Sequence, residues 1–401
     1  MKTRVTILAL FCFLTISIPG NTSGNIQIIR FDFFGKNVEL PFDNSCLVSF
    51  ESPLNQGSIG SFYAAISKGD YSPLIEKLHE YRVEFGLDDW LFYQLIRRTA
   101  QQVSPKEKNY FRYTLYKWFF LTRSGYDATL KFSDSKLLFY IQTNDSIYNL
   151  PCYFKDAKQY VCLNYHDYGG NIDFIAERFT EATGYDDKLL TGFTYKVTRL
   201  PGFESNDYQE KALHFNYNEN EYSFRIKLNP HIKTIFANYP VVDYETYFNI
   251  PLSEETYLSL IPHLKKQLKG KNTKSGVEYL MHFTRYAFLF QPDAVLYGNE
   301  KRLSPEQTLG YDQSDCEDRA ALFFYLVKEL YNLPMIVLTY PEHVTIAIKL
   351  NKPSGASIVY KGERYSVCEP TPQREELALG QLSASLKNER YKVVYEYTPR
   401  Q

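Results

Sequence analysis

Three consecutive segments decide the fold. S-D-C-E-D-R-A-A-L-F-F-Y-L-V-K-E-L (Ser314–Leu330) is followed by Y-P-E-H-V-T-I-A-I-K-L (Tyr340–Leu350) and by R-Y-S-V-C-E-P-T (Arg364–Thr371). Ser314 and Asp315 precede a run that is apolar on nearly every face, the pattern of a capped helix buried in the core. Cys316 falls in its first turn, where free backbone N–H groups and the positive end of the helix favour thiolate over thiol. His343 opens an alternating strand that sends Val344, Ile346 and Ile348 to one face and His343 and Thr345 to the other. Glu369 ends a second strand, just before Pro370 and on the face opposite Cys368. A thiol at a helix start, an imidazole at a strand start and a carboxylate at a strand end form a candidate nucleophile, base and orienting acid. Each residue taken singly is more often inert, so the argument rests on the three occurring in this order. Asp318 and Arg319, one turn into the helix, are expected in surface or inter-element pairs. Gln307 and Gln313 are the candidates for a second oxyanion donor.

The same arrangement occurs earlier in the chain. Y-T-L-Y-K-W-F-F-L-T-R-S-G (Tyr113–Gly125) precedes strands that end K-Q-Y-V-C-L (Lys158–Leu163), and the two stretches correspond at separations of 205–207 positions. A near-constant offset through a helix and three strands is the mark of an internal repeat. Opposite Cys316, His343 and Glu369 this alignment places Phe111, Lys136 and Leu163, so the first copy lacks all three reactive groups.

The remaining pattern is mixed. A β-rich start is followed by helices, the strongest beginning at Asp88 or Asp89, and by a helix that ends at Gly125. Phe193 to Arg199 reads as a strand, and Ala212–Leu228 as a hairpin about Asn218 and Glu219. Ser253 is placed to cap a helix that Pro262 should kink or break. The expected organisation is a leader over 1–24 and an N-terminal α+β domain over 25–200. A β-rich connector over 201–250 leads to the C-terminal α+β unit over 251–401.

Composition excludes several classes of function. Forty-five basic residues against 46 acidic ones give a net charge of −1, with no basic run, so nucleic acid is not an expected partner. Met1–Gly24 has Lys2 and Arg4 before an apolar stretch too short to span a bilayer, which reads as a cleaved export signal. The chain is expected to be periplasmic or secreted, with no integral membrane segment once the signal is removed. Five cysteines follow it (Cys46, Cys152, Cys162, Cys316 and Cys368), and an odd number leaves at least one free thiol; whether Cys152 and Cys162 pair stays open. No ligand spacing suits a metal, and no cofactor is expected. With 35 Tyr and 29 Phe against 3 Met, the aromatics serve either as packing or as a peptide- or glycan-binding surface.

The S-D-C-E-D-R-A-A-L-F motif, the E-H-V strand and the C-E-P-T strand end together resemble the transglutaminase-like superfamily over Gly276–Thr371, with Trp90–Tyr165 as a degenerate copy. The resemblance implies a papain-like core, a central helix on an antiparallel sheet, with Cys316 as nucleophile, His343 as base and Glu369 as third member. It further implies acyl transfer from a peptide, protein or cell-wall amide, most simply to water and alternatively to an amine in cross-linking. A different class of function, a binding or scaffold protein that keeps the fold without turnover, fits the residue loss in the first copy.

Overall fold

A computed structural model describes residues 25–51, 53–185, 190–290 and 302–399; the stretch 1–24, expected to be a leader, lies outside the described residues. The chain is mixed α+β. A hairpin of β1 (Ile26–Phe33) and β2 (Lys36–Asp43) comes first. It is followed by α1 (Gln56–Ile66), α2 (Ser72–Glu84), α3 (Asp89–Val103) and α4 (Tyr110–Arg123). The strands β3 (Ala128–Phe132), β4 (Leu137–Gln142), β5 (Cys152–Lys155), β6 (Lys158–Cys162) and β7 (Thr180–Glu181) complete the first half. The second half opens with the hairpin β8 (Gln209–Tyr217) and β9 (Asn220–Leu228), then α5 (His231–Ile235), α6 (Tyr244–Phe248), α7 (Glu254–Leu268) and α8 (Thr273–Tyr286). Short β10 (Leu289–Phe290), α9 (Pro305–Gly310) and β11 (Gln313–Ser314) lead to α10 (Cys316–Tyr331). Last come β12 (Met335–Tyr340), β13 (His343–Ile348), β14 (Ser357–Tyr360), β15 (Glu363–Cys368) and β16 (Lys392–Tyr397).

The two halves have the same topology. One five-stranded sheet has the order β5-β6-β4-β3-β7 and the other β14-β15-β13-β12-β16, antiparallel throughout. The register of one central pair, β4 with β6 and β13 with β15, matches as well. Tyr140 pairs with Cys162 in the first sheet and Ile346 with Cys368 in the second, so equivalent residues lie 206 positions apart. The correspondence extends upstream, because β2 packs on α2 and β1 on α3, just as β9 packs on α7 and β8 on α8. The hairpin within the 201–250 stretch thus stands to its helices as the N-terminal hairpin stands to its own.

This register corrects two of the expected counterparts by one residue. The first-half helix is capped by Asn109, whose side chain accepts from Arg112 N, as Asp315 accepts from Asp318 N. Tyr110 rather than Phe111 therefore stands opposite Cys316, and Leu137 rather than Lys136 opposite His343, while Leu163 remains opposite Glu369. The two halves differ most in length before the capped helix. Only residues 104–109 separate α3 from α4, whereas residues 287–315 separate α8 from α10.

Two local expectations are overturned, and a third, a kink or break at Pro262, is overturned as to the break. Phe193–Arg199 forms no strand, because Asp89, Asp145 and Asp88 side chains accept from the backbone of Thr194, Tyr195 and Thr198 in place of a neighbouring strand. α7 continues through Pro262. The carbonyl that the missing N–H would have served belongs to Leu258, on an exposed face where water can take it. Ser253 occupies the N-cap position of α7 but makes no side-chain cap; its Oγ bonds Glu306 and Thr256.

α10 is the centre of the second half. Every residue from Asp318 to Val327 is buried, and the helix packs on α8, α9 and β13. Asp318 and Arg319 are not surface residues, since both are fully buried. Asp318 Oδ1 accepts from Leu303 N and the Tyr247 hydroxyl. Arg319 donates to the carbonyls of Thr284, Arg285 and Phe288 at the end of α8, which supplies partners that a helix C-terminus otherwise lacks. Replacing Arg319 with Met strands these carbonyls in the core and is expected to lower unfolding free energy by about 3 kcal/mol. Urea unfolding checks this, and a loss below about 1 kcal/mol would place those carbonyls in contact with water.

Candidate functional site

His343 and Glu369 meet. His343 Nε2 lies 2.8 Å from Glu369 Oε2, with the His343 side chain 13% exposed and that of Glu369 1% exposed. Strand alternation explains the meeting. β13 and β15 are neighbours, and His343 and Glu369 lie just beyond the ends of their paired segment, off the face that carries Val344, Ile346 and Ile348 into the main core. Several contacts fix the carboxylate. Its Oε1 accepts from Thr371 N at 3.0 Å, the Glu369 carbonyl accepts from Arg285 Nε at 2.7 Å, and Thr345 Oγ1 donates to the Cys368 carbonyl. Buried Arg285 was not foreseen from sequence; it also donates to Glu376. With Nε2 engaged, Nδ1 is the imidazole nitrogen available to another group.

Burial disfavours the imidazolium, but the Glu369 hydrogen bond and the charges of Glu369 and Glu317 outweigh it and raise the His343 pKa. His343 is thus held as a cation more firmly than a free imidazole, its tautomer and orientation set by the carboxylate.

Cys316 stands where expected on its element and not where expected on its partners. Asp315 caps α10 through a capping box with Asp318, and Cys316 is the first residue of the helix. Its thiol donates to Glu317 Oε2 at 2.8 Å, and among the described residues no hydrogen bond joins it to His343. Burial pushes the thiol pKa well up, the charges of Glu317 and Asp315 add to the rise, and a backbone hydrogen bond from Val344 opposes it. The helix end was expected to favour thiolate; desolvation and two carboxylates oppose it and raise the thiol pKa. The Val344 contact nonetheless places the sulfur beside the residue that follows His343. Glu317 was the residue that the sequence reading missed. Its adjacency to Cys316 is visible in the motif, but its direction is not.

Gln307 Nε2, the atom an oxyanion donor would use, is buried and makes no hydrogen bond among the described residues. The Gln307 Oε1 accepts from Ser304 N, and the residue lines a separate cavity of about 550 Å³ with Leu228, Asn229 and Tyr311. Gln313 belongs to β11 and pairs with Leu289. The remaining cysteines are unpaired thiols, so Cys152 and Cys162 form no bridge; Cys152 is exposed and Cys46, Cys162 and Cys368 are buried. No group of three or more His, Cys, Asp or Glu suited to a metal occurs among the described residues.

The first half fills the equivalent place with a structural network. The Tyr110 hydroxyl donates to Asp167 Oδ2 at 3.0 Å and accepts from Asn164 Nδ2 at 2.7 Å, while Asn164 Oδ1 accepts from Phe139 N. Lys117 lies 3.9 Å from Asp167; its complete burial draws the amine down to about 7 against the pull of that carboxylate.

No protein-family model, no curated protein and no solved structure matches this chain. Among the described residues no helix is long and apolar enough to cross a membrane.

The His343–Glu369 pair has a definite pH signature. The folded chain holds the His343 proton more tightly than the unfolded chain, so the pair's stabilisation is complete below the ordinary imidazole pKa of about 6.5. It is lost as pH rises through the higher folded value. Glu369→Gln is therefore expected to cost more stability near pH 6 than near pH 9, in urea unfolding at about these two values. A cost that grows with pH would mean that His343 is not stabilised as the cation.

Proposed function

We propose that this chain is an exported cysteine acyl-transfer enzyme that cleaves a peptide or cell-wall amide bond through a thioester on Cys316. The observation that carries the proposal is the 2.8 Å pair between His343 Nε2 and Glu369 Oε2, on strands adjoining the start of a buried helix that presents a thiol. Structural histidines rarely require a nearly buried carboxylate held in turn by backbone and arginine contacts, and such a pair is what a general base beside a nucleophile needs. The resemblance to the transglutaminase-like, papain-like arrangement supports the same assignment.

The proposed reaction runs at a pH above the raised His343 pKa, where the ring is neutral with its proton on Nε2 toward Glu369. Cys316 Sγ turns from Glu317, passes its proton to His343 Nδ1 and attacks the amide carbonyl carbon. The C–N bond then breaks as His343 returns the proton to the departing amine, leaving an acyl thioester and a free amine. Water, deprotonated by His343, attacks the thioester, and the carboxylic acid leaves with the thiol restored. Glu369 holds the ring and balances its charge during both transfers. An amine in place of water would make the same site a cross-linking one.

One observation favours a second reading, a binding protein without turnover: the Cys316 thiol is bonded to Glu317 and not to His343. The two readings separate in one experiment. In a Cys152→Ser background, which removes the exposed thiol, iodoacetamide near pH 7 is expected to alkylate Cys316. Cys316→Ala should abolish labelling, and His343→Ala should slow it by about tenfold or more. Labelling that ignores His343, or none at all, would leave the binding reading.

A further inference from the structure

The contact between Glu317 and the nucleophile candidate is unlike the rest of the site. His343, Glu369, Thr371 and Arg285 form a chain in which each partner supports the next, whereas Glu317 draws the thiol away from that chain. The carboxylate lies one residue along the same helical turn, with Oε2 at 2.8 Å from Cys316 Sγ, and both residues are half-buried at the edge of the site. Apart from His343, whose proton the Glu317 charge helps to hold, the charged groups around them are mostly carboxylates. Asp315 is buried beneath the pair, Asp312 and Glu342 are exposed on the two segments that lead to Cys316 and His343, and the buried Arg319 is turned to the carbonyls at the end of α8. Lys211 is occupied by Asp312 and the carbonyls of Gly310 and Tyr311.

An anionic acceptor on the reactive sulfur has two consequences. It stabilises the thiol over the thiolate, and it repels any substrate that brings negative charge to the scissile bond. A cation at the same place reverses both. It takes over the carboxylate as a charge-assisted partner and frees the thiol hydrogen for another acceptor.

Resting on the assignment of Cys316 as nucleophile, we propose that Glu317 is a specificity-determining residue that selects amide substrates carrying a positive charge beside the scissile bond, such as a lysine or arginine side chain or a free amino group. Pairing of that cation with Glu317 releases the Cys316 thiol toward His343, so substrate recognition and unmasking of the nucleophile are one event. An uncharged or acidic substrate leaves the thiol on Glu317.

The test uses the full chain in the Cys152→Ser background and two thiol reagents of equal reactive group and opposite charge. These are trimethylammonioethyl methanethiosulfonate and its sulfonatoethyl counterpart, each rate divided by that reagent's rate with free 2-mercaptoethanol. The cationic reagent is expected to modify Cys316 about tenfold faster or more after this correction, since the two reagents differ by two unit charges at a site a few ångströms from a carboxylate. Glu317→Gln should bring the ratio near one and raise the rate with the anionic reagent, while Glu342→Gln should leave the ratio within about twofold. A loss of helix packing would slow or speed both reagents alike and leave the ratio unchanged, so a merely structural role for Glu317 is distinguishable. Equal corrected rates in the parent protein, or a ratio that survives Glu317→Gln, would overturn this proposal alone. Failure of both reagents to reach Cys316 would overturn the nucleophile assignment and this proposal with it.

Discussion

The structure depends on how the start of α10 is satisfied. A helix buried on all sides cannot leave its first N–H groups to water, and the capping box of Asp315 and Asp318 answers that need. Asp318 in turn collects Leu303 N and the Tyr247 hydroxyl, so the cap ties the helix to α6 and to the segment before α9. Arg319, the next residue, closes the end of α8. One turn of helix thus fixes the positions of three other elements, and Cys316 is part of that turn. The backbone of Cys316 is held in place because the requirement it sits beside is structural.

The same economy explains Glu369. Its carboxylate would be costly in the core without partners, and it has them on both oxygens, His343 on one and Thr371 N on the other. Arg285 anchors its backbone from α8, the helix whose end Arg319 also holds. The site is therefore connected to the thiol side through α8 rather than through a direct Cys316–His343 bond. What opens or closes the distance between thiol and imidazole is left to side-chain rotation at Glu317 and Cys316, not to movement of the scaffold.

Much of this was legible in the residues. The cap, the burial of α10, the strand carrying His343 and the meeting of His343 with Glu369 follow from helix-start chemistry and two-residue alternation. The repeat was legible as an offset but not to the residue. Hydrophobic pattern does not reveal which of two neighbours caps a helix, and Asn109 decided it in favour of Tyr110 over Phe111. The Glu317 contact was invisible because periodicity assigns a face, not a rotamer. Phe193–Arg199 misled for a related reason. Its composition is that of a strand, but side-chain carboxylates from distant positions took the hydrogen bonds a neighbouring strand would have made.

Two sheets of identical strand order within one chain carry a hazard for folding. β4 would find in β15 nearly the partner it finds in β6, and a chain joined across its halves would satisfy many of the same backbone bonds. Distance along the chain weighs against that outcome. β12 and β13 are joined by a two-residue turn, Pro341–Glu342, and β3 and β4 by residues 133–136, so the correct pairs close small loops while crossed pairs must close loops of about two hundred residues. Each half can commit its central hairpin before the other is within reach, and the order of synthesis reinforces that lead. The short turn that positions His343 thereby also keeps the two copies from exchanging strands.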